Sequence, residues 1–328
     1  MATSNSAVTA IIPASTTNLG PGFDVLGVAV SLYNQVSLQE TAGITEVICL
    51  GQDSDKLLSD TSNVAYQAAD LIFAKVGYQP DGLRLTLQNG IPAIRGLGGS
   101  GTAILGGLLA ANAMCGQKFG QPPFSLQEIL AFATEIEGHP DNVAASLLGG
   151  FVVSATAEVQ NVNTVGEIEA VMTVKTVKIT PPDELRLIIA VPDFTLATKV
   201  ARSVLPESVD LSAAVFNMSR SSLLVAAMAT GDLDLLPVSM EDRLHQPYRA
   251  KLIPGFEEVS RSALEAGALS IALSGAGPTI VAYTRASAPT QQIADQMALA
   301  FQQNGLACQT QILTVDTEGA KVNVRVEN

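Results

Sequence analysis

The stretch Pro92-Ala93-Ile94-Arg95-Gly96-Leu97-Gly98-Gly99-Ser100-Gly101-Thr102-Ala103 decides how this chain is read. Four glycines fall between Gly96 and Gly101, and an apolar run with helical spacing continues to Met114. Glycine lets a backbone come close to a ligand and turn its N–H groups inward, and the helix that follows adds its positive end. Together these make a phosphate cradle; the plainer reading is a tight strand-to-helix turn whose glycines serve packing. Gly96, Gly98 and Gly101 also satisfy G-x-G-x-x-G, the dinucleotide fingerprint. The acidic residue it wants about 20 positions on is missing, because Gln121-Pro122-Pro123 falls there, and Asn89-Gly90-Ile91-Pro92 separates the loop from any strand. A Walker loop is excluded because no Gly-Lys-Ser/Thr is present.

The chain around this loop has 328 residues, 47% hydrophobic and 15% charged, enough for two domains sharing one cleft and too apolar for disorder. Its net charge of −13 argues against a nucleic-acid or anionic-membrane surface. An anionic ligand would therefore be met by local features: a helix N-terminus, a metal and a few placed arginines. Apolar stretches such as Ile104 to Ala113 are short or broken by glycine, so no membrane span is expected. Residues Met1 to Ser6 carry no basic, then apolar, leader, which makes a cytoplasmic protein the expectation. Cys49, Cys115 and Cys308 stand far apart and read as reduced core residues.

Strand-like runs occur at Val8–Ile12, Ile44–Leu50, Leu83–Leu87, Phe151–Thr156, Val171–Ile179, Leu185–Val191, Leu269–Leu273, Thr279–Tyr283 and Gln309–Val315. Helical patterns run from a Ser62 cap to Lys75, and over Thr102–Met114, Leu126–Glu137, Leu211–Ala229, Phe256–Ala266 and Gln291–Gln303. The strands cluster instead of alternating strictly with helices, which favours an α+β fold. Pro181-Pro182 offers a break between an N-terminal domain, residues 1–180, and a C-terminal one, residues 181–328.

Four further segments concentrate chemistry. Pro13 to Asp24 (Pro-Ala-Ser-Thr-Thr-Asn-Leu-Gly-Pro-Gly-Phe-Asp) packs turn formers and polar groups into a rigid loop, in which Asn18 and Asp24 could simply bond their own backbone. Glu135-Ile136-Glu137-Gly138-His139-Pro140-Asp141-Asn142 gathers charges at a helix boundary, where Asp141 or Asn142 could serve only as a cap. Leu273 to Thr279 (Leu-Ser-Gly-Ala-Gly-Pro-Thr) reads alone as a β-hairpin turn. Arg202 and Arg249, after Thr195-Leu196-Ala197-Thr198 and within His245-Gln246-Pro247-Tyr248-Arg249, would ordinarily make surface salt bridges.

Taken in order, these motifs resemble those of the homoserine kinases in the GHMP kinase superfamily, from about residue 10 to 284. The central loop is similar to P-x-x-x-G-L-G-S-S-A, departing at Gly99 and Gly101 and keeping Ser100. The resemblance implies a two-domain GHMP kinase fold, with an N-terminal domain like domain 2 of ribosomal protein S5 and a ferredoxin-like C-terminal domain. It implies ATP and Mg²⁺, transfer of phosphate to the side-chain hydroxyl of L-homoserine on the way to threonine, and no nucleic-acid or membrane partner. Relatives of this kind suggest a homodimer. By carry-over, Pro92 and residues 95 to 102 (Arg95, Gly96, Leu97, Gly98, Gly99, Ser100, Gly101, Thr102) hold the nucleotide, with Gly275 and Gly277 beside them. Ser100 and Glu137, or in its place Glu135, hold the metal. Asn18 and Asn142 orient the hydroxyl, Asp24 pairs with the ammonium, His139 and Thr198 flank the amino acid, and Arg202 and Arg249 take its carboxylate, a task suited to the guanidinium fork. Asp141 is a candidate base only. The alternatives are a GHMP kinase for mevalonate, shikimate or a sugar, and a catalytically silent binding protein.

Overall fold

Two long strands, β1 (Ser6–Asn18) and β2 (Gly22–Thr41), run antiparallel around the turn at residues 19–21 and form the spine of the first sheet. The computed structural model describes residues 6–162 and 168–326. A break in register between Pro13 and Ala14 bends this pair. Before it, Val8, Ala10 and Ile12, with Val36 and Leu38 opposite, face one core; beyond it, Ala14, Val28 and Val30 face a second. The end of β1 and the turn therefore replace the rigid loop expected at residues 13–24, and β2 was not anticipated as a strand.

The sheet is completed by β3 (Glu46–Gly51), β4 (Gly82–Asn89), β5 (Phe151–Val162) and β6 (Ile168–Ile179). Among these, β3 and β4 are parallel and the rest antiparallel. Four helices cover one face: α1 (Val64–Lys75), α2 (Gly99–Phe119), α3 (Leu126–Glu137) and α4 (Asp141–Leu148). Asn63, not Ser62, caps α1, its side-chain oxygen accepting from Ala65 N at 2.9 Å. Buried α2 lies so close to α1 that a Cβ on Gly107 would stand 2.0 Å from the Ala65 carbonyl oxygen.

The second half opens with β7 (Leu185–Pro192), α5 (Thr198–Ser203) and α6 (Leu211–Thr230). The short helices α7 (Leu236–Ser239) and α8 (Gln246–Arg249) precede α9 (Phe256–Glu265), and β8 (Ser270–Leu273), β9 (Ile280–Arg285), α10 (Thr290–Gln303) and β10 (Cys308–Leu313) follow. Strands β10, β7, β9 and β8 form an antiparallel sheet. Period-two alternation makes β7 two-faced: Ile188 and Ala190 pack under α9 and α10, while Leu187, Ile189 and Val191 join Val28, Val30 and Phe151 of the first sheet. The two sheets thus share an apolar core.

Pro181-Pro182 lies on the crossing from β6 to β7, but the chain does not stay on the far side. The final strand, β11 (Lys321–Val326), returns to pair with β1, so these residues complete the first sheet. Cys115 alone of the three cysteines is buried, whereas Cys49 and Cys308 are half-buried. Among the described residues one helix, α6, reaches the length and hydropathy of a bilayer span; its inward face seats Asn217, Leu224, Ala227 and Met228.

Gly107→Ala is expected to cost about 1–3 kcal/mol through overpacking, read as a lower melting temperature. An unchanged melting temperature would show that α1 and α2 do not approach this closely.

Candidate active site

Both halves of the chain line a cleft of about 350 Å³. Its floor is the glycine-rich loop. Gly96 and Gly98 hold left-handed φ of 79° and 73°, and Gly98 caps α2. The first bond of the helix runs from Thr102 N to Gly98 O at 2.9 Å, so the amides of Gly99, Ser100 and Gly101 precede the helical ladder at its positive end. A Cβ on Gly98 would meet Ser15 Oγ at 2.5 Å, whereas at Gly99 it would meet nothing within 4 Å.

Arg95, Gly96, Gly98, Gly99, Ser100 and Gly275 line the cleft. Pro92, Leu97, Gly101, Thr102 and Gly277 stand behind it. Leu97 belongs to the shared core, Gly101 packs against Val143, and Gly277 lies against Ile253 and Leu196. Thr102 is fully buried with its amide already bonded to Gly98 O.

The turn between β8 and β9 is both the hairpin and the lid of this floor. Ser274 Oγ donates to Gly96 O at 2.6 Å, Gly275 N donates to Thr17 O at 3.2 Å, and a Cβ on Gly96 would stand 2.2 Å from Ser274 O. The turn and the loop therefore touch backbone to backbone.

Beside Ser100, its hydroxyl donates to Glu137 Oε2 at 2.9 Å. Burial pushes the Glu137 carboxyl up, against the lowering pull of the Ser100 bond and of His139, and Asp141 adds to the rise. Glu135, two residues earlier on α3, is exposed and is not among the residues lining the cleft. The Ser100 and Glu137 oxygens are hard donors, and a carboxylate short of compensation suits a hydrated magnesium ion.

Past the end of α3, His139 Nδ1 lies 2.7 Å from Asp141 Oδ1, which also accepts from Asn142 N at 2.8 Å. Burial alone would lower His139, yet the Asp141 bond and charge, with Glu137 and Asp24, raise it on balance. Asn142 offers Oδ1 to Ser15 Oγ at 2.9 Å, while its Nδ2 has only a long contact of 3.5 Å to Thr17 Oγ1. Asn18 is held at both ends: Nδ2 donates to Gly275 O at 2.8 Å and Oδ1 accepts from Asp24 N at 3.0 Å. The local backbone bond and a place on the cleft wall therefore coexist. Asn18 and Asp24 have φ of 68° and 58°, a left-handed backbone costly outside glycine and kept here by these bonds.

From the second half, Thr198 and Arg202 project from one face of α5, four residues apart, into the cleft. Arg202 grips Asp24 bidentately at 2.9 and 2.7 Å. Arg249 is buried, donating from Nε to Ala201 O and from Nη1 to Gly275 O, both at 3.1 Å. Burial and then the Arg202 charge lower it to about 10, leaving it protonated at neutral pH.

The structure adds a wall the motifs did not announce: Lys56, Leu57, Leu58, Asn63, Val64 and Asn89. These come from a single turn of helix at residues 54–56, the start of α1 and the end of β4. Leu58 and Val64 are exposed to the cleft, so burial patterning could not separate them from ordinary surface apolar residues.

Comparison with known proteins agrees with this geometry. The family of GHMP kinases N terminal domains matches residues 63–150, and that of GHMP kinases C terminal domains matches residues 224–305. A homoserine kinase of Moorella thermoacetica is 43% identical over 311 residues, covering 95% of this chain and 98% of that protein. The chain belongs to the homoserine kinases of the GHMP family. A homoserine kinase of Synechococcus sp. is 38% identical across 97% of this chain and 98% of its own length. The crystal structure of homoserine kinase from Cytophaga hutchinsonii superposes with a TM-score of 0.81 at 30% identity, covering 97% of each chain. The two-domain GHMP kinase fold is thus shared.

For a kinase of this family, Gly96→Ala is expected to raise the KM for ATP about tenfold or more by forcing the two turns apart, while Gly99→Ser stays within about twofold. Steady-state kinetics with both variants checks this; equal effects would show that the turn contact does not shape the nucleotide site.

Proposed function

We propose that this ATP-dependent kinase phosphorylates the side-chain hydroxyl of L-homoserine, giving O-phospho-L-homoserine and ADP in threonine biosynthesis. The observation that carries the reading is one cleft in which a helix N-terminus with open amides faces Asp24, Arg202 and Arg249. A phosphate cradle beside one carboxylate and two guanidinium groups matches a nucleotide lying next to a zwitterionic amino acid.

The amides of Gly99 and Ser100 bind the phosphates, and Leu57, Leu58 and Val64 with Asn63 receive the base. Ser100 and Glu137 would hold Mg²⁺, which when bound neutralises phosphate charge and fixes the geometry of the chain's oxygens. The substrate hydroxyl attacks the γ-phosphorus, the bond to the bridging oxygen breaks, ADP leaves with the electron pair, and the hydroxyl proton passes to an oxygen of the transferred phosphoryl group. Asn142 Nδ2 donates to the attacking oxygen and aligns it. Asn18, expected to touch the hydroxyl, instead holds Asp24 in place through its amide. Binding opens the Asp24–Arg202 pair: the ammonium takes Asp24, and the carboxylate takes Arg202 and Arg249. Thr198 and His139 close the sides. A cytoplasmic homodimer is consistent with the family and forms part of the proposal.

With Mg-ATP, the chain is expected to release ADP with L-homoserine and far less with mevalonate or L-serine. Arg249→Ala should raise the homoserine KM about 100-fold while the KM for ATP moves less than about twofold, because a charge-assisted bond to the carboxylate is lost. Turnover that ignores this substitution would remove the reason for an amino-acid substrate.

Asp141 Oδ1 already serves His139 and the Asn142 amide, which favours a bracing role over proton abstraction. Asp141→Asn is therefore expected to lower kcat by less than about tenfold, below the 10²-fold or greater loss typical of a missing general base. A larger fall in kcat at unchanged KM would assign Asp141 as that base.

A further inference from the structure

Asp242 lies outside the cleft and belongs to none of the motifs read above, yet its side chain is fully buried. A buried carboxylate is costly unless its oxygens are satisfied, and these are. Oδ1 accepts from Leu244 N at 2.9 Å and from Asn217 Nδ2 at 2.6 Å; Oδ2 accepts from His245 N at 3.0 Å and Gln246 N at 2.6 Å. Three of the four donors are consecutive backbone amides leading into α8, which ends with Arg249. One side chain thus fixes the entry of the short helix that delivers the buried guanidinium.

The same knot reaches the other half of the amino-acid site. Asn217, from α6, also donates to Pro21 O at 3.3 Å and accepts from Arg243 N at 2.9 Å. His245, buried beside Asp242, makes a 2.7 Å bond between Nε2 and Gly20 O. Its ring stacks on Phe23 with centroids 5.2 Å apart. Over that Phe23 ring lie both guanidinium groups, Arg249 at 5.0 Å and Arg202 at 5.3 Å. Gly20 has no room for a Cβ, which would meet Met240 O at 2.1 Å, so the turn leading to Asp24 is pressed against the start of the same segment. Gln246 Oε1 accepts from Leu273 N at 2.9 Å, tying α8 to the strand that leads into the Gly275 turn.

We propose that Asp242 is a positioning residue for the amino-acid half of the site, setting Arg249 through the α8 amides and the Phe23–Asp24 turn through Asn217 and His245. This rests on the homoserine reading above. Asp242 touches no substrate; it fixes the distance between the groups that receive the carboxylate and the ammonium. Its negative charge also opposes the combined effect of burial and Arg202 on Arg249.

The test uses the full chain and steady-state kinetics with L-homoserine and Mg-ATP. Asp242→Asn puts an N–H donor where four N–H donors converge, so it should raise the homoserine KM about tenfold or more with kcat and the KM for ATP within about twofold. In an Arg249→Lys background the same substitution should shift the homoserine KM by a smaller factor than in the unaltered chain, because the part of its effect that runs through Arg249 is already lost. A purely structural role would lower the active fraction, hence kcat, with the homoserine KM unmoved, and that result would overturn the proposal. Should Asp242→Asn fail to fold, Phe23→Leu removes the ring between His245 and the two arginines while leaving the α8 cap intact. It carries the same expectation, and an unchanged homoserine KM there also overturns the proposal. No turnover of L-homoserine by the unaltered chain would sink the functional reading and the positioning role together. Turnover by that chain with an unmoved KM in the variant sinks the positioning role alone.

Discussion

The backbone contact between the Gly96 loop and the Gly275 turn is the constraint on which the site depends. A Cβ on Gly96 would stand 2.2 Å from Ser274 O, Gly275 holds a left-handed φ of 55°, and Ser274 Oγ bonds across the contact to Gly96 O. What makes the contact decisive is the Gly275 carbonyl, which accepts from Asn18 Nδ2 and Arg249 Nη1 together. One oxygen thereby joins the turn after β1, the turn before β9 and the end of α8, beside the loop that opens α2. The glycine loop and the mount of Arg249 are held by the same few main-chain atoms. Proximity and orientation are what phosphoryl transfer chiefly requires of a protein.

The shared core keeps that contact in register. Leu187 and Ile189 of β7 pack with Val28, Val30 and Phe151 across the two sheets, and β11 returns from the second half to the edge of the first. The cleft is thus built between two halves that bury a common apolar layer. This matters for a chain with few cations: its 18 lysines and arginines face 31 acidic residues, so no general field draws an anion in. Attraction is local, with Lys56, Arg95, Arg202 and Arg249 all on one cleft.

The sequence showed the site where motifs combine glycine with polar residues, because positive φ and close approach permit so few residue types. The loop at 96–101, the turn at 275 and the cluster around Asn142 all come together in the fold. It was silent where the same geometry is reached by common residues. Leu57, Leu58 and Val64 look like any apolar residue near a helix start, and β2 hid because its bend changes which core its inward residues face. The last strand, Lys-Val-Asn-Val-Arg-Val, alternates charged and polar residues with valine, as an edge strand can, and only its pairing with β1 reveals it. Asp242 was invisible for a different reason: an aspartate before a short helix reads as an ordinary cap, and its reach to Asn217 spans 25 positions.

If Asp24 and the two arginines take the substrate's charges as proposed, the Asp24–Arg202 pair sets how the cleft selects a zwitterion. Without ligand the two opposite charges satisfy each other through a bidentate bond, so neither is left bare at the end of a partly buried groove. An amino acid brings an ammonium and a carboxylate at fixed separation, and replaces one internal ion pair with two external ones at no net change in charge. An alcohol bearing only a carboxylate must part the pair and leave Asp24 uncompensated, while one bearing neither charge leaves the pair closed and gains nothing from either group. Discrimination then comes from the penalty on incomplete ligands as much as from contacts with the right one. It works only if Asp24 and the two guanidinium groups stay at the spacing of an amino acid's charges, which the left-handed turn at Asn18 and the buried mount of Arg249 both serve to keep.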